Sequence, residues 1–551
     1  MWLLPRRARR IIMGDEKSSG LILSGISLSP DAEETEACAI AAKELKRAGY
    51  DPARLRLAVS KRSVDARKKG DVRLVYSVAV RRKDGGSMEL PKRCRYTAAL
   101  LYDRSLDISY GEEKSAYPPL VVGMGPAGLF CALLLAENGY APIIIDRGDC
   151  IEDRVNAHKR FVETGALDTE SNIQFGAGGA GTFSDGKLLT RINDPRISYV
   201  LGRFCEFGAP EEIKIQAKPH IGTDLLLGVV DSILSRIEAL GGKVMYRTRL
   251  EGVTENSDGT VTAHTTKGDI ACSALCLAVG HSARDTYEML LRKGYAVEPK
   301  PFSVGVRIEH LQKNIDEAMY GDLAGHPRIG RGEYHLSDTT SGRGVYTFCM
   351  CPGGQVVAAA SENGGVVVNG MSSFARDGKN ANSAVCVSVR PEDHGKTPES
   401  AIAFQRRLEA NAFTAGGRDY YAPVETVGDF LSGSRGTEPT EVLPSYRDGR
   451  VRLASMDECL PTFVCEELRR GLVSFEKKLT GFASPTAVLS GVETRTSAPV
   501  RILRNDNMTA LGHKGIYPCG EGAGYAGGIT SAAIDGLRVA ERIMSRFAPE
   551  K

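Results

Sequence analysis

An α/β fold built on a parallel nucleotide-binding sheet is what the 551 residues predict, and three observations carry the prediction. Residues 119–147, PLVVGMGPAGLFCALLLAENGYAPIIIDR, read as strand, glycine turn, helix and second strand. Residues 175–187 hold a second glycine loop, with four glycines in six residues. Residues 515–547 give a short strand, a third glycine loop and a helix.

Each part of the first stretch has a physical task. Leu120, Val121 and Val122 are a continuous apolar run, as a strand buried on both faces requires. Gly123, Gly125 and Gly128 then form G-x-G-x-x-G. The first allows a tight turn, the second close approach of backbone to a pyrophosphate, the third close packing of helix on strand. The helix expected from Pro126 to Asn138 offers unpaired N–H groups and a positive dipole end to phosphate. Gly139 ends it where φ > 0 is wanted. Ile143–Ile145 is the second strand, and Asp146 follows 23 positions after Gly123, where a carboxylate can take ribose hydroxyls. With all parts in order, the stretch reads as a dinucleotide site.

The rest follows in chain order. The opening MWLLPRRARRIIMGDE has too short an apolar stretch for a signal peptide, and its charges follow that stretch, so it reads as a basic tail, with Met13 an alternative start to Met1. Residues 1–115 read as a separate small α+β domain of ferredoxin-like type. A helix is expected from Ala32 to Ala48, with acids early and bases late. Strands are expected at Leu55–Ser60, Val72–Arg82 and Arg93–Leu101. This domain is basic, with 24 Lys+Arg against 16 Asp+Glu. A solvated surface accounts for that, and docking on an acidic partner is the sharper reading. It lacks the interleaved aromatics of a base-stacking surface, so nucleic acid is not favoured. After the linker Lys114–Pro119, residues 116–292 read as the first part of the nucleotide domain. Beyond the glycine loop they carry a helix at Asp224–Leu240, a strand at Val244–Val253, a hairpin at Val261–Thr265 and Asp269–Cys272, and an apolar strand at Ala274–Val279 ending at Gly280. This is the second half of a nucleotide fold bearing a β-meander. Residues 293–492 read as an inserted α+β substrate domain, with strands at Val304–Ile308, Gly344–Cys349 and Gln355–Ala360 and helices at Glu399–Asn411 and Glu466–Leu479. Residues 493–551 return to the nucleotide domain.

Composition narrows the classes. Hydrophobic residues at 42%, charged residues at 25% and a net charge of +3 are those of an ordinary globular chain and give no general argument for nucleic acid. No apolar run reaches the roughly 18–20 residues of a membrane span, so no membrane partner is expected. Thirteen scattered cysteines suit the reduced thiols of a cytoplasm. Neither Cys272/Cys276 nor Cys349/Cys351 has a matching second pair, so no structural metal is expected.

The motifs together resemble the FAD-dependent oxidoreductases of the glutathione-reductase type. More narrowly they resemble the bacterial FAD-dependent dehydrogenase family. The narrower likeness rests on SVDARKKGDVRLVYSVAV, FGAGGAGTFSDGKL, TFCMCPGGQVV, VVVNGMSSFARDGKNANSA, VETRTSAPVRILR and GEGAGYAGGITSAAIDG. It implies a Rossmann-like FAD/NAD(P)-binding fold with FAD as cofactor. It implies contacts from Gly123, Gly125, Pro126, Ala127, Gly128, Asp146, Arg147, Gly178, Gly179, Gly181, Leu250, Gly280, Gly520, Glu521, Gly527, Gly528 and Ile529. Relatives mostly carry Asp where Glu521 stands and Glu where Asp146 stands. No second G-x-G-x-x-G occurs in the insert, so NAD(P)H is expected only transiently.

For chemistry, Lys187 and Cys351 are the catalytic candidates. Lys187 follows the second glycine loop. Cys349 and Cys351, at i and i+2 of a strand, would share a face and form a dithiol beside the flavin. Arg376, Arg495 and Arg501 are candidates for clamping a carboxylate or phosphate. Asn369 and Asn382 are candidates for substrate contact, and His281 for acid–base work. The reading is a cytoplasmic FAD-dependent oxidoreductase passing hydride or electrons between flavin and a small organic substrate. Two others stay open: a flavoprotein docking on tRNA or another macromolecule through its basic N-terminal domain, and a non-catalytic flavin-binding regulator.

Overall fold

A computed structural model describes residues 18–68, 70–102 and 106–549. The opening basic tail and its two starts lie outside these. The chain divides into two compact units, the first running to Leu106 with Lys214–Ala217 and His326–Ile329 added, the second holding the rest.

The first unit is a four-stranded antiparallel sheet with one helix: β1 (Gly20–Leu28), α1 (Glu34–Arg47), β2 (Leu55–Asp65), β3 (Arg73–Arg82) and β4 (Thr97–Leu101). The strand order is β2-β3-β1-β4. That is the order of a split β-α-β fold, but no helix joins β3 to β4, so the ferredoxin-like expectation is met in the sheet and not in its second helix. β1 is not expected from the sequence, because Gly25 and two serines break its apolar run. A bulge between Ser24 and Ile26, with Gly25 at φ 94°, restores its alternation against β3. α1 buries Ala37, Ala41 and Leu45, spaced by one helical turn, and a reciprocal Glu33–Glu36 capping box starts it.

The second unit contains the nucleotide fold and an inserted sheet. The first consists of β5 (Leu120–Val122), α2 (Pro126–Glu137), β6 (Ile143–Ile145), α3 (Ile151–Thr164), α4 (Arg196–Glu206), α5 (Thr223–Ala239), β7 (Lys243–Met245), the ribbon β8 (Leu250–Glu255), β9 (Val261–Thr265) and β10 (Gly268–Cys272), β11 (Leu275–Leu277) and α6 (Arg284–Arg292). The one strand expected at Val244–Val253 is two, β7 in the main sheet and β8 in the ribbon. β12 (Val297–Pro299) leads to β13 (Phe302–Leu311), α7 (Gln312–Tyr320), β14 (Ser337–Asp338), β15 (Val345–Cys351), β16 (Gln355–Ala358), β17 (Val368–Met371), β18 (Asn380–Val389), α8 (Pro398–Ala415), β19 (Ala422–Thr426), α9 (Val427–Ser432), β20 (Val451–Leu453), α10 (Thr462–Glu476) and β21 (Val488–Glu493). The chain closes with β22 (Val500–Ile502), β23 (Ile516–Pro518) and α11 (Ile529–Arg546).

The main sheet has the order β23-β11-β5-β6-β7 and is parallel throughout. β5, β11 and β23 are buried on both faces, which is why they read as unbroken apolar runs. β8, β9 and β10 form the expected meander. Two glycines let α2 sit tightly. A Cβ on Gly128 would strike the Gly123 carbonyl, and one on Gly536 of α11 would strike the Ala127 carbonyl. The inserted sheet has the order β14-β15-β18-β13-β21-β19-β20, antiparallel but for the β19–β20 pair. Its core includes Val306, Ile308, Val385, Phe404, Leu408, Leu468, Leu472 and Phe475.

Candidate functional site

A cleft of about 300 Å³ opens at the carboxyl ends of β5, β11 and β23. This is where open parallel sheets take ligands. Gly123–Ala127 follow β5, Ala278–His281 follow β11, and Cys519, Glu521 and Gly527–Ile529 follow β23; all three segments line the cleft. Gly179, Gly181 and Lys187 come from the second glycine loop, Phe348, Cys349 and Glu493 from the inserted sheet, Asn369 from the β16–β17 ribbon and Arg495 from just beyond β21.

Backbone shape dominates the floor. α2 starts at Gly125 and α11 at Gly528, and neither N-terminus has a side-chain cap. Their first N–H groups are therefore unclaimed by side chains beside the cleft, as an anion-binding site requires. A Cβ built on Gly280, Gly527 or Gly528 would meet nothing within 4 Å, so the space these glycines leave bare belongs to the cleft. The two glycine loops close on each other: Gly178 N–H donates to the Met124 carbonyl at 2.9 Å, and a Cβ on Gly179 would lie 2.9 Å from Gly125 Cα. This bare, donor-rich cradle fits a dinucleotide pyrophosphate.

Of the other residues expected around a cofactor, several sit elsewhere. Asp146 lines the cleft, but its carboxylate already accepts N–H bonds from Met124 (2.8 Å), Gly148 (2.9 Å) and Gly176 (2.9 Å). It ties the two glycine loops together, so the ribose contact expected of it would have to use its remaining lone pairs. Arg147 points away into ion pairs with Glu170 (3.0 Å) and Asp285 (2.9 Å). Leu250 is buried in the meander core. Gly520 donates to Asp535 at 2.7 Å, behind the lining.

The wall opposite is polar and charged. Lys187 Nζ lies 2.7 Å from Asp185 Oδ2 and donates to the Met350 carbonyl. Asp185 also accepts from Arg376 Nε at 2.9 Å and from the Ser372 hydroxyl. Burial alone would raise the Asp185 carboxyl, but the Lys187 and Arg376 charges overcome it and hold it at about 2. Burial works against the Lys187 ammonium, yet Asp185 and Glu333 raise its pKa. Lys187 is therefore a fixed cation, not a proton acceptor. Arg376 is committed to Asp185, and Arg495 to Glu409 (Nη2–Oε2 2.9 Å), although Arg495 does reach the cleft. Arg501 is not in the lining; it pairs with Glu298 at 3.5 Å. None of the three is a free anion clamp.

Cys349, not Cys351, lines the cleft. The expectation that i and i+2 share a face fails because the β15–β18 register shifts between Phe348 and Cys351 and Cys349 has φ 45°. Cys351 is fully buried behind it. Beneath both lies Arg307 of β13, also fully buried. Its Nη1 donates to the Cys349 carbonyl (2.9 Å) and to Asn382 Oδ1 (2.8 Å), its Nη2 to Asn369 Oδ1 (2.9 Å), and its Nε to Glu493 (2.8 Å). The Cys349 thiol is held well below its usual range, first by hydrogen bonding with the Cys351 thiol and then, against burial, by the Arg307 and Lys187 charges. The Cys351 thiol is pushed up by the same hydrogen bond and by burial. Burial, aided by Arg495, pushes the His281 imidazole down to about 4, so it is neutral at neutral pH. Burial pushes the Glu521 carboxyl up to about 7, against Lys300 and the Gly528 N–H. Leu189 (61% exposed) and Phe348 (40%) also line the cleft.

Sequence reasoning missed Asp185, Glu493 and Arg307. One signal was present for Arg307: a lone cation inside the apolar run FSVGVRI of Phe302–Ile308. A buried charge there needs partners, and partners mark a built site. Among the described residues no group of three His, Cys, Asp or Glu side chains is placed to hold a metal, and no helix is long and apolar enough to cross a membrane.

Comparison with known proteins adds the following. Residues 301–496 match the model of "FAD-dependent protein, C-terminal domain-like", and residues 23–81 match a domain of unknown function, DUF8436. A protein of Clostridium beijerinckii, named only as uncharacterized, is 47% identical over 505 residues, covering 89% of this chain and 93% of its own. Among solved structures, CtdE in complex with FAD is 11% identical, with 79% of this chain and 87% of that chain covered and a TM-score of 0.31. CmlS, a flavin-dependent halogenase, is 13% identical, with 78% and 59% covered and a TM-score of 0.37. Likeness of that degree decides nothing about the reaction.

Proposed function

Since the chain belongs to the family of the 47%-identical Clostridium beijerinckii protein and carries the C-terminal domain of FAD-dependent proteins, we propose that it is an FAD-dependent oxidoreductase acting on a small organic substrate in this cleft. The cofactor is FAD. The observation that carries the reading is the juxtaposition of two unlike walls. One is bare glycine backbone with two uncapped helix N-termini, suited to a dinucleotide. The other presents a thiol from the inserted sheet, an ammonium from the second glycine loop and a carboxamide from the β16–β17 ribbon.

Bound FAD would supply two-electron chemistry that amino-acid side chains lack. The chain's own residues bind, orient and polarise. Gly123–Ala127 and Gly179–Gly181 would receive the pyrophosphate. The α11 N-terminus adds a positive dipole end, which favours negative charge developing beside it. The Lys187 ammonium can donate a hydrogen bond to a substrate oxygen but, paired with Asp185, does not take up a proton. Glu521 is the carboxyl nearest neutrality and can hold or release a proton at the cleft. Leu189 and Phe348 give the cleft an apolar surface, consistent with a substrate that has an apolar part.

The visible spectrum of purified protein, with the released cofactor identified, tests this first. Flavin bands and released FAD, bleached anaerobically by an organic substrate or a nicotinamide, are the expected result. A colourless protein that cannot be reconstituted with FAD would overturn it.

A further inference from the structure

Cys349 and Cys351 have more in common than sequence proximity. Two residues apart on an extended strand their Cα atoms would be about 6.6 Å apart, at the upper edge of what a disulfide spans. The bulge breaks that extension. Cys349 takes a left-handed conformation, φ 45°, which costs a non-glycine residue roughly 1 kcal/mol and is held by the surroundings. Arg307 supplies the hold by binding the Cys349 carbonyl, and Lys187 binds the Met350 carbonyl between the two thiols. Cys351 Sγ lies 3.3 Å from the Cys349 carbonyl and 4.0 Å from Arg307 Nη1. One thiol is at the cleft and the other, donating to the first residue's carbonyl, is buried behind it. Cys519 also borders the cleft, but burial and then its neighbour Cys276 push its thiol up, whereas Cys349 is pulled down.

We propose that Cys349 and Cys351 are a redox pair that exchanges two electrons with the FAD of this cleft, so that the substrate class is a thiol. This rests on the FAD reading above. The Cys349 thiolate and Cys351 thiol form one S–S bond. Two electrons and the Cys351 proton pass to oxidised FAD, which becomes the anionic reduced form, so charge and atoms balance. Two external thiols then reopen the bond by exchange, leaving as their own disulfide. The first external thiolate attacks Cys349 Sγ, the sulfur at the cleft, and releases Cys351; the second attacks the mixed disulfide and releases Cys349.

The groups facing Cys349 are Cys351 on its own strand, Cys386 on the adjacent β18, Lys187 and Asp185 from the second glycine loop, Arg307 of β13 and Glu493 of β21 further across the sheet, and Glu521 from the C-terminal loop. Cys386 is fully buried and burial pushes its thiol up, so Cys351 is the partner; its replacement by serine removes the sulfur that closes the S–S bond and weakens the hydrogen bond that lowers Cys349.

The tryptic peptide 344–376 contains Cys349 and Cys351 and no other cysteine, so the full-length protein can be mapped directly. After diamide oxidation and alkylation without reductant, that peptide should be lighter by two hydrogens and unlabelled, with or without FAD. In C351S, Cys349 should stay alkylatable, and the midpoint of its alkylation rate against pH should move up. With FAD bound, anaerobic dithiothreitol should bleach the flavin of the wild-type protein at least tenfold faster than that of C349S or C351S. Recovery of both cysteines fully alkylated from oxidised protein overturns the pair while leaving the flavin reading untouched. Equal bleaching of wild type and both variants overturns electron exchange with FAD. Absence of flavin overturns the reading beneath it and is seen in the spectrum before any thiol is mapped.

Discussion

Glu521 shows how one residue can report on the cleft. Its carboxyl is held at about 7 against an ordinary 4.5, so the folded protein keeps a proton there that the unfolded chain has lost. Between those values the folded state binds more protons, and stability falls as pH rises. Glu425, also raised to about 7, adds a slope of the same sign. E521Q should therefore flatten, not abolish, the loss of apoprotein stability between pH 5 and 8, recovering roughly 2 kcal/mol at the upper end. Thermal melts of both proteins at the two pH values check this; equal slopes would place Glu521 in water. Arg307 makes the opposite kind of prediction. R307M strands Glu493, Asn369 and Asn382 without their donor and should cost about 3–5 kcal/mol in denaturant unfolding. At this scale the sequence is readable where backbone geometry needs one residue type, as at Gly123 and Gly128. It misleads where a side chain's partner is far along the chain: nothing near Cys349 announces Arg307, and the bulge that turns Cys349 rather than Cys351 to the cleft is set by pairing with β18.

At the scale of elements, α11 is the sharpest case. Its start at Gly528 has no side-chain cap, and Gly527 just before it has open space where a Cβ would go and no left-handed backbone to strain. G527V should leave the apoprotein melting temperature within about 2 °C of wild type, as for a surface substitution. Flavin content should fall several-fold, because the new side chain occupies the cradle. Cofactor content after purification, set beside the apoprotein melt, separates the two effects. If G527V binds FAD normally, the α11 N-terminus does not face the cofactor. The same helix explains its own legibility. Small residues Ala532, Ala533 and Gly536 near its start let α2 approach, and such a run is visible in sequence. β1 was not visible, since Ser24 and Gly25 interrupt the pattern that its pairing with β3 restores. α8 and α10 were visible, because each keeps a helical apolar stripe whatever it packs against.

At the scale of the whole molecule, the order of the seven-stranded sheet could not be read from the chain. Its neighbours β13 and β21 are about 180 residues apart, and nothing local selects the pairing. The cleft depends on that order as much as on the glycine loops: β15 and β21 of that sheet, with β17 of the separate β16–β17 ribbon, bring Cys349, Asn369 and Glu493 to segments that begin near residue 123 and end near 532. A ligand touching all of them must stabilise all of them at once. FAD present at a hundred times its Kd adds about 2.7 kcal/mol to the folded state. That gain should appear as slower amide exchange at 123–128, 278–281 and 519–529 together, with a smaller effect at 348–349 if the flavin reaches the inserted sheet. Hydrogen exchange with and without FAD measures it segment by segment. Protection confined to 123–128 would mean that only an adenosine half is held, and the thiol pair would then have no electron acceptor within reach. Concerted protection extending to 348–349 would put Cys349 beside the cofactor, as electron exchange between them requires.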